Sequence, residues 1–241
     1  MPKSFSELRV FGDSYSTPKY CVEPAQSFWG LAATHLGIKK VFNYSWPGNS
    51  FDSIMHVLIS CQLDYAWEEE LFIIGIPPLE RFTFFDNHKN TQYQTRIFTT
   101  DTWQESHKEL PCHRGLMNLK LENIKDLSLL EDRAWSETLL LNKLFLMCQW
   151  LESKSANYLL VNLSKDLDEN NIWSPTDFVL PYFKEHNRSI LFRDTYYSIN
   201  LNINPPADYD DYGWMRHHGS EGNQRFFEKS LLPALERGNL C

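Results

Sequence analysis

The sequence contains no Cys-x-x-Cys pair, no Lys/Arg-rich run, no uninterrupted apolar stretch of membrane-spanning length and no internal repeat. Each absence removes a class of function. The five cysteines, Cys21, Cys61, Cys112, Cys148 and Cys241, are odd in number and widely spaced. Reduced thiols are therefore expected rather than a disulfide framework. A formal charge of −8 argues against a nucleic-acid-binding surface. The longest apolar run, Leu139 to Leu151, is broken by Asn142, Lys143 and Gln149, too short and too polar to cross a bilayer. The opening Met1-Pro2-Lys3-Ser4-Phe5-Ser6-Glu7 lacks the apolar core of a signal peptide. The expected setting is cytoplasmic, with a virion as the alternative. Neither Gly-x-x-x-x-Gly-Lys-Ser/Thr nor Gly-x-Gly-x-x-Gly occurs, so no nucleotide cofactor is expected. His107, Cys112 and His113 lie close in sequence, but their spacing fits no established zinc pattern. No metal and no other cofactor are expected.

What is present is a chain of 241 residues with 42% hydrophobic content, enough for one sizeable core. Aromatics reach 15%, with eight tryptophans. They serve either core packing or a surface for sugars or a protein partner. The apolar strand at 8–12 is followed by helical spacing of Phe28, Leu31, Ala32 and Leu36, which Gly37 suits as a stop. Val41–Ser45 reads as a second strand. A helix with Ile54, Val57, Leu58 and Cys61 on one face follows. Leu71–Ile76 is a continuous apolar run between Glu68-Glu69-Glu70 and Pro77-Pro78, the signature of a strand buried on both faces. This alternation predicts an α/β fold: a mainly parallel sheet with helices on both sides and right-handed crossovers.

Residues 79–131 break the rhythm. They are polar and aromatic without a clear period, and read as an insertion in a single domain spanning 1–241. They follow the carboxyl end of the third strand, where open α/β sheets carry their ligand crevice. A long helix is expected over 132–155, a fourth strand over 158–163, short elements near 178–185 and 190–192, and a last helix over 221–237 that Pro233 kinks.

The first strand runs directly into Gly12-Asp13-Ser14-Tyr15-Ser16. Glycine tolerates the backbone angles of a sharp turn, and Asp and Ser are also ordinary turn residues. The pentapeptide resembles block I of the SGNH (GDSL-type) hydrolases, in which Ser14 corresponds to the nucleophile. That resemblance implies a three-layer α/β/α, flavodoxin-like sandwich. It also implies Gly48, in Pro47-Gly48-Asn49-Ser50 after the second strand, as an oxyanion donor beside the Ser14 backbone N–H; a plain turn glycine is the alternative. The family's third block carries Gly-x-Asn. Here Gly75-Ile76-Pro77 places a proline, with no N–H, at the Asn position. Arg81 lies just downstream as a substitute donor or as an ordinary ion-paired arginine. The C-terminal histidine block matches Arg216-His217-His218-Gly219-Ser220-Glu221-Gly222. It implies His217 as the base, His218 being the fallback. The acid usually three residues earlier is replaced by Trp214. Asp211 is the nearest acid, Asp210 and Asp208 are alternatives, and a backbone carbonyl would leave a Ser–His dyad.

Two functions follow. One is an SGNH-type serine esterase acting on a small-molecule or glycan ester, with an O-acetylated sugar ahead of a lipid ester or thioester. The other is a non-catalytic SGNH-fold binding or structural module, using the aromatic insertion for a protein partner or an assembly in a virion or on a surface. Pro77 and Trp214 favour the second.

Overall fold

A computed structural model describes residues 3–17, 23–46, 49–78, 81–86, 91–96, 133–169, 172, 178–202 and 219–241. For 81–86, 91–96 and 133–136 it describes the backbone. The chain builds a five-stranded sheet from β1 (Glu7–Phe11), β2 (Lys40–Asn43), β3 (Glu70–Ile76), β6 (Asn157–Asn162) and β7 (Ser189–Ile190). The order is β2-β1-β3-β6-β7, and every pairing is parallel. β3 lies between β1 and β6 and all seven of its residues are buried. A strand covered on both faces gains from apolar side chains at every position, so its sequence is continuous rather than alternating.

Helices cover both faces, giving a three-layer α/β/α sandwich. On one face α1 (Phe28–His35), α6 (Gly219–Phe226) and α7 (Leu232–Arg237) pack Phe28, Ala32, Phe226 and Leu235 on Leu8, Val10, Ile73 and Val161. On the other, α2 (Phe51–Ser60), α3 (Arg133–Ser153) and α4 (Val179–Glu185) pack Ile54, Leu58, Leu144, Leu151 and Phe183 on Phe11, Phe72, Ile74 and Leu160. The side chains of β1 and β3 feed the two cores alternately, as a period of two requires.

Local chemistry fixes the helix ends. Ser27 caps α1 by accepting from the Gly30 N–H at 3.0 Å. Ser50 caps α2 by accepting from Ser53 N–H at 3.2 Å. Gly37, at φ +68°, takes the left-handed position after α1 where a side chain costs energy.

The expected elements appear with small shifts at their ends, and three features differ. Within 79–131, β4 (Arg81–Asp86) and β5 (Thr91–Arg96) form an antiparallel hairpin that sets Phe84 opposite Tyr93. Aromatic and Thr residues favour a pleated strand, and no apolar period of one face announces it. Residues 97–131 lie outside the described residues. A short α5 (Tyr196–Asn200), capped by Thr195, was not expected. The terminal helix is split by a π turn, Phe227–Leu231, whose last hydrogen bond runs from Leu232 N–H to Phe227 O. The widened turn sits just before Pro233, which has no N–H to continue the ladder. Among the described residues no helix is long and apolar enough to cross a membrane.

Candidate active site

The strand order reverses at β1. The chain leaves β1 for β2 on one side, then returns through α2 to β3 on the other. In an open parallel sheet the carboxyl ends of the strands at that switch point frame a crevice. Ser14 is three residues past the last residue of β1, so topology alone brings it to this crevice.

The segment carrying Ser14 is a tight turn. Ser16 N–H donates to Asp13 O at 3.1 Å, and Tyr15 N–H donates to Asp13 Oδ1 at 3.0 Å. Two long-range donors hold its far end: Trp29 Nε1 gives a 2.9 Å bond to Ser16 O, and Asn43 Nδ2 a 2.7 Å bond to the same oxygen. The near end is held through Gly12 O. It accepts from Asn49 Nδ2 at 2.9 Å and from Trp46 N–H at 3.3 Å. Asn49 Oδ1 in turn accepts from Ser53 Oγ at 3.1 Å. Helix α1, strand β2 and the entry to α2 thus position the turn together.

Two glycines make room for it. A Cβ on Gly12 would lie 2.5 Å from Ser16 Oγ, and one on Gly75 would lie 2.5 Å from Leu163 Cδ1 and 3.1 Å from Ser16 Oγ. A side chain at position 12 would overlap the turn itself, and one at position 75 would overlap Leu163 and crowd Ser16. Gly75 thus has a packing role that its place in a strand does not reveal.

Ser14 is fully buried. Its Oγ has no hydrogen-bond partner among the described residues. A buried hydroxyl without a partner forgoes a bond worth ~1–3 kcal/mol, and such a group calls for an explanation, of which a catalytic role is one. Pro77, which the block III resemblance sets at an Asn position, is buried just beyond β3 and offers no N–H donor. Arg81 opens β4, and its side chain lies outside the described residues. Gly48, Asp208, Asp210, Asp211, Trp214, His217 and His218 lie outside them too, as do His107, Cys112 and His113.

The residues flanking the histidine block are described. Gly219, the first residue of α6, has φ +55°. Its carbonyl accepts from Asn223 Nδ2 at 2.6 Å, and Asn223 Oδ1 accepts from Phe28 N–H at 3.0 Å. The start of α6 is therefore tied to the start of α1, the helix whose Trp29 holds the Ser14 turn. Asn49, Asn43, Trp29 and Asn223 were not singled out from the sequence. For Asn49 and Asn223 the only local signal was a polar residue near a predicted helix start, which caps and turns produce as readily; Trp29, inside α1, and Asn43, at the end of β2, gave none. Among the described residues no group of three His, Cys, Asp or Glu is placed to hold a metal ion.

No protein-family model matches the sequence, and none of the curated proteins does. Three solved structures illustrate what the chain is similar to. A member of the lipolytic G-D-S-L family from Veillonella parvula is 13% identical, over 94% of this chain and 97% of that one, with a TM-score of 0.43. The psychrotrophic esterase EstA from a Pseudoalteromonas species is 12% identical over 96% and 97%, with a TM-score of 0.38. An acetylxylan esterase from Geobacillus stearothermophilus is 15% identical over 97% and 95%, with a TM-score of 0.42. Along nearly its whole length, the chain is thus similar to structures of G-D-S-L lipolytic and esterase proteins.

Proposed function

We propose that the chain is a serine ester hydrolase of the SGNH type, a single domain in which 79–131 is an insertion. Ser14 is the nucleophile. His217 takes the Ser14 proton as Oγ bonds to the ester carbonyl carbon. The ester C–O bond then breaks, and His217 returns the proton to the departing alcohol. Water attacks the acyl-serine in the reverse sense and restores Ser14. Asp211 orients His217. The Ser14 and Gly48 N–H groups face the oxyanion, and Arg81 supplies positive charge where Pro77 supplies no donor.

The observation that carries this reading is the buried, unpartnered Ser14 hydroxyl on a braced turn at the switch point of the sheet. The tie between Gly219 and α1 supports the role of His217, because a residue two positions upstream stays within about 7 Å of the Gly219 Cα. An O-acetylated carbohydrate is the favoured substrate, given the aromatic content of 15%.

A fluorophosphonate probe tests the reading. Labelling of the wild-type chain that disappears in Ser14→Ala supports it. No labelling, together with no hydrolysis of p-nitrophenyl acetate, overturns it in favour of the non-catalytic binding module. The full burial of Ser14 and the proline beyond β3 are the observations on that side.

A further inference from the structure

Two side chains from different layers meet on one backbone oxygen. Trp29, in the first turn of α1, donates its Nε1 proton to Ser16 O at 2.9 Å. Asn43, the last residue of β2, donates from Nδ2 to the same oxygen at 2.7 Å. A single donor is enough to keep a buried carbonyl from being orphaned. The second is present although the buried hydroxyls of Ser14, Ser16 and Ser45 have no partner among the described residues. Donors here serve the backbone of the turn and not its hydroxyls. The Asn43 amide is oriented by its partners. Its Oδ1 accepts from Ser45 N–H at 2.8 Å, so the amino group is the end that faces Ser16 O.

The turn therefore has two anchors, with Ser14 two residues from each. Gly12 O, on the near side, is held by Asn49 Nδ2 and Trp46 N–H. Ser16 O, on the far side, is held by Trp29 and Asn43. The bond from Ser16 N–H to Asp13 O closes the turn on itself, so releasing the far anchor leaves the turn formed but free to pivot about Gly12. The Ser16 side chain offers no substitute anchor. Its Oγ makes no bond among the described residues and lies 2.5 and 3.1 Å from where Cβ atoms on Gly12 and Gly75 would be. A pivot moves Ser14 without unfolding the sheet, and a misplacement of about 1 Å at a reacting group costs up to about 10²-fold in rate.

The geometry points to Trp29 and Asn43 as a pair of positioning residues that act together, through the Ser16 carbonyl, on the reactivity of Ser14. The inference rests on Ser14 being the nucleophile and goes beyond it in tying that reactivity to one side chain of α1 and one of β2.

The test compares wild type, Trp29→Phe, Asn43→Asp and the double variant. Trp29→Phe removes the indole donor and keeps an aromatic ring. Asn43→Asp keeps the acceptor for Ser45 N–H and puts a carboxylate oxygen in place of the donor. Tyr158→Phe is the structural control: it removes a hydroxyl bonded to Glu152 at 3.0 Å, at the opposite end of the sheet. The readouts are the rate of fluorophosphonate labelling, kcat and KM on p-nitrophenyl acetate, and the urea midpoint. Each single variant is expected to lower the labelling rate and kcat by about 10- to 100-fold, with KM within about twofold of wild type. The double variant should lose much less than the product of the two single losses, because both donors act on one oxygen. Tyr158→Phe should keep both rates whatever its urea midpoint. Asn43→Asp, at a half-buried position, carries the test alone if Trp29→Phe does not fold. Labelling at the wild-type rate in the single variants overturns the inference. So does a loss expressed in KM alone, a double variant that loses the full product, or an equal loss in Tyr158→Phe. In each of these cases Ser14-dependent labelling of wild type leaves the nucleophile standing and only the positioning role falls. A wild-type chain that is not labelled at all overturns the hydrolase reading and the positioning role with it.

Discussion

At the amino-terminal end of the sheet, the Arg9 guanidinium is buried and saturated. Its Nε and Nη2 meet the two Glu70 oxygens at 2.5 and 2.9 Å. Further bonds reach Tyr44 Oη at 2.8 Å and Glu7 Oε2 at 3.0 Å, and the plane sits between Phe42 and Tyr65, 4.8 and 4.7 Å from their centroids. At the carboxyl end, the hydroxyls of Ser14, Ser16 and Ser45 are buried with no partner among the described residues. At the first end the Arg9–Glu70 pair is closed and locks strands in place, although Tyr65 Oη beside it and His186 Nδ1 are buried without a partner among the described residues. The other spends its backbone bonds on bracing a turn and leaves side-chain hydroxyls uncommitted. On the proposed function, substitutions are expected to have opposite consequences: at the first end they should cost stability, at the second they should cost chemistry.

The largest expected effect is on chemistry. Ser14→Ala should lower kcat by about 10⁴-fold or more, measured on p-nitrophenyl acetate. It should leave the urea midpoint nearly unchanged, since Oγ makes no bond among the described residues. A large loss of stability would mean that Ser14 is structural and would erase the contrast. Next comes Arg9→Met, which strands Glu70 in the core. Breaking a buried pair from one side costs about 3–5 kcal/mol, read from urea unfolding. The double variant Arg9→Met/Glu70→Leu should recover much of that loss, because well-packed apolar residues often replace a buried pair without cost.

The difference between the two ends also explains what could be read from the sequence. β3 was legible because burial on both faces imposes a continuous apolar run. Ser14 was legible because its strand, glycine and turn are contiguous. The bracing was not: Trp29 and Asn43 reach Ser16 O across 13 and 27 residues of sequence, and only the sheet order brings them together. Arg9 reads as a charge in a strand, since nothing local reveals that Glu70 begins the neighbouring one. Pro233 was legible as a breaker, but not the π turn that absorbs it. His217 and Gly48 were read from motif order and Asp211 as the acid nearest to His217; all three lie outside the described residues.

Gly75→Ala probes the border between the two behaviours, because its collision involves both Leu163 and Ser16. Overpacking of this kind costs about 1–3 kcal/mol. Here it should also displace the turn, so activity should fall together with the urea midpoint. An equal loss of stability with kcat intact would uncouple the core from the nucleophile.

The smallest effect concerns a second polar cluster at the amino-terminal end. Tyr158 and Tyr182 both donate to Glu152 Oε1, at 3.0 and 2.8 Å. With the Tyr158 proton so committed, His186 Nε2 donates to the Tyr158 oxygen at 2.9 Å. That leaves Nδ1 as a lone pair, buried and without a partner among the described residues. Burial holds His186 below its ordinary value, the Arg188 charge adds to the shift, and Glu152 opposes it. Burial also pushes the neighbouring Cys148 thiol up to about 12, so it stays neutral. A depressed histidine favours the native state when neutral. Above about pH 6.5 both states are uncharged and the fold keeps its full stability. As pH falls below that value the unfolded chain takes up the proton first, and stability declines until the native histidine is protonated as well. His186→Phe should flatten this component of the decline between pH 7 and 5 in urea unfolding, with Ser14 chemistry unaffected. If the slope were unchanged, other groups would set the acid sensitivity of this end. If activity moved with it, the two ends would be coupled through the sheet, and their separation into a stabilising end and a chemical end would fail.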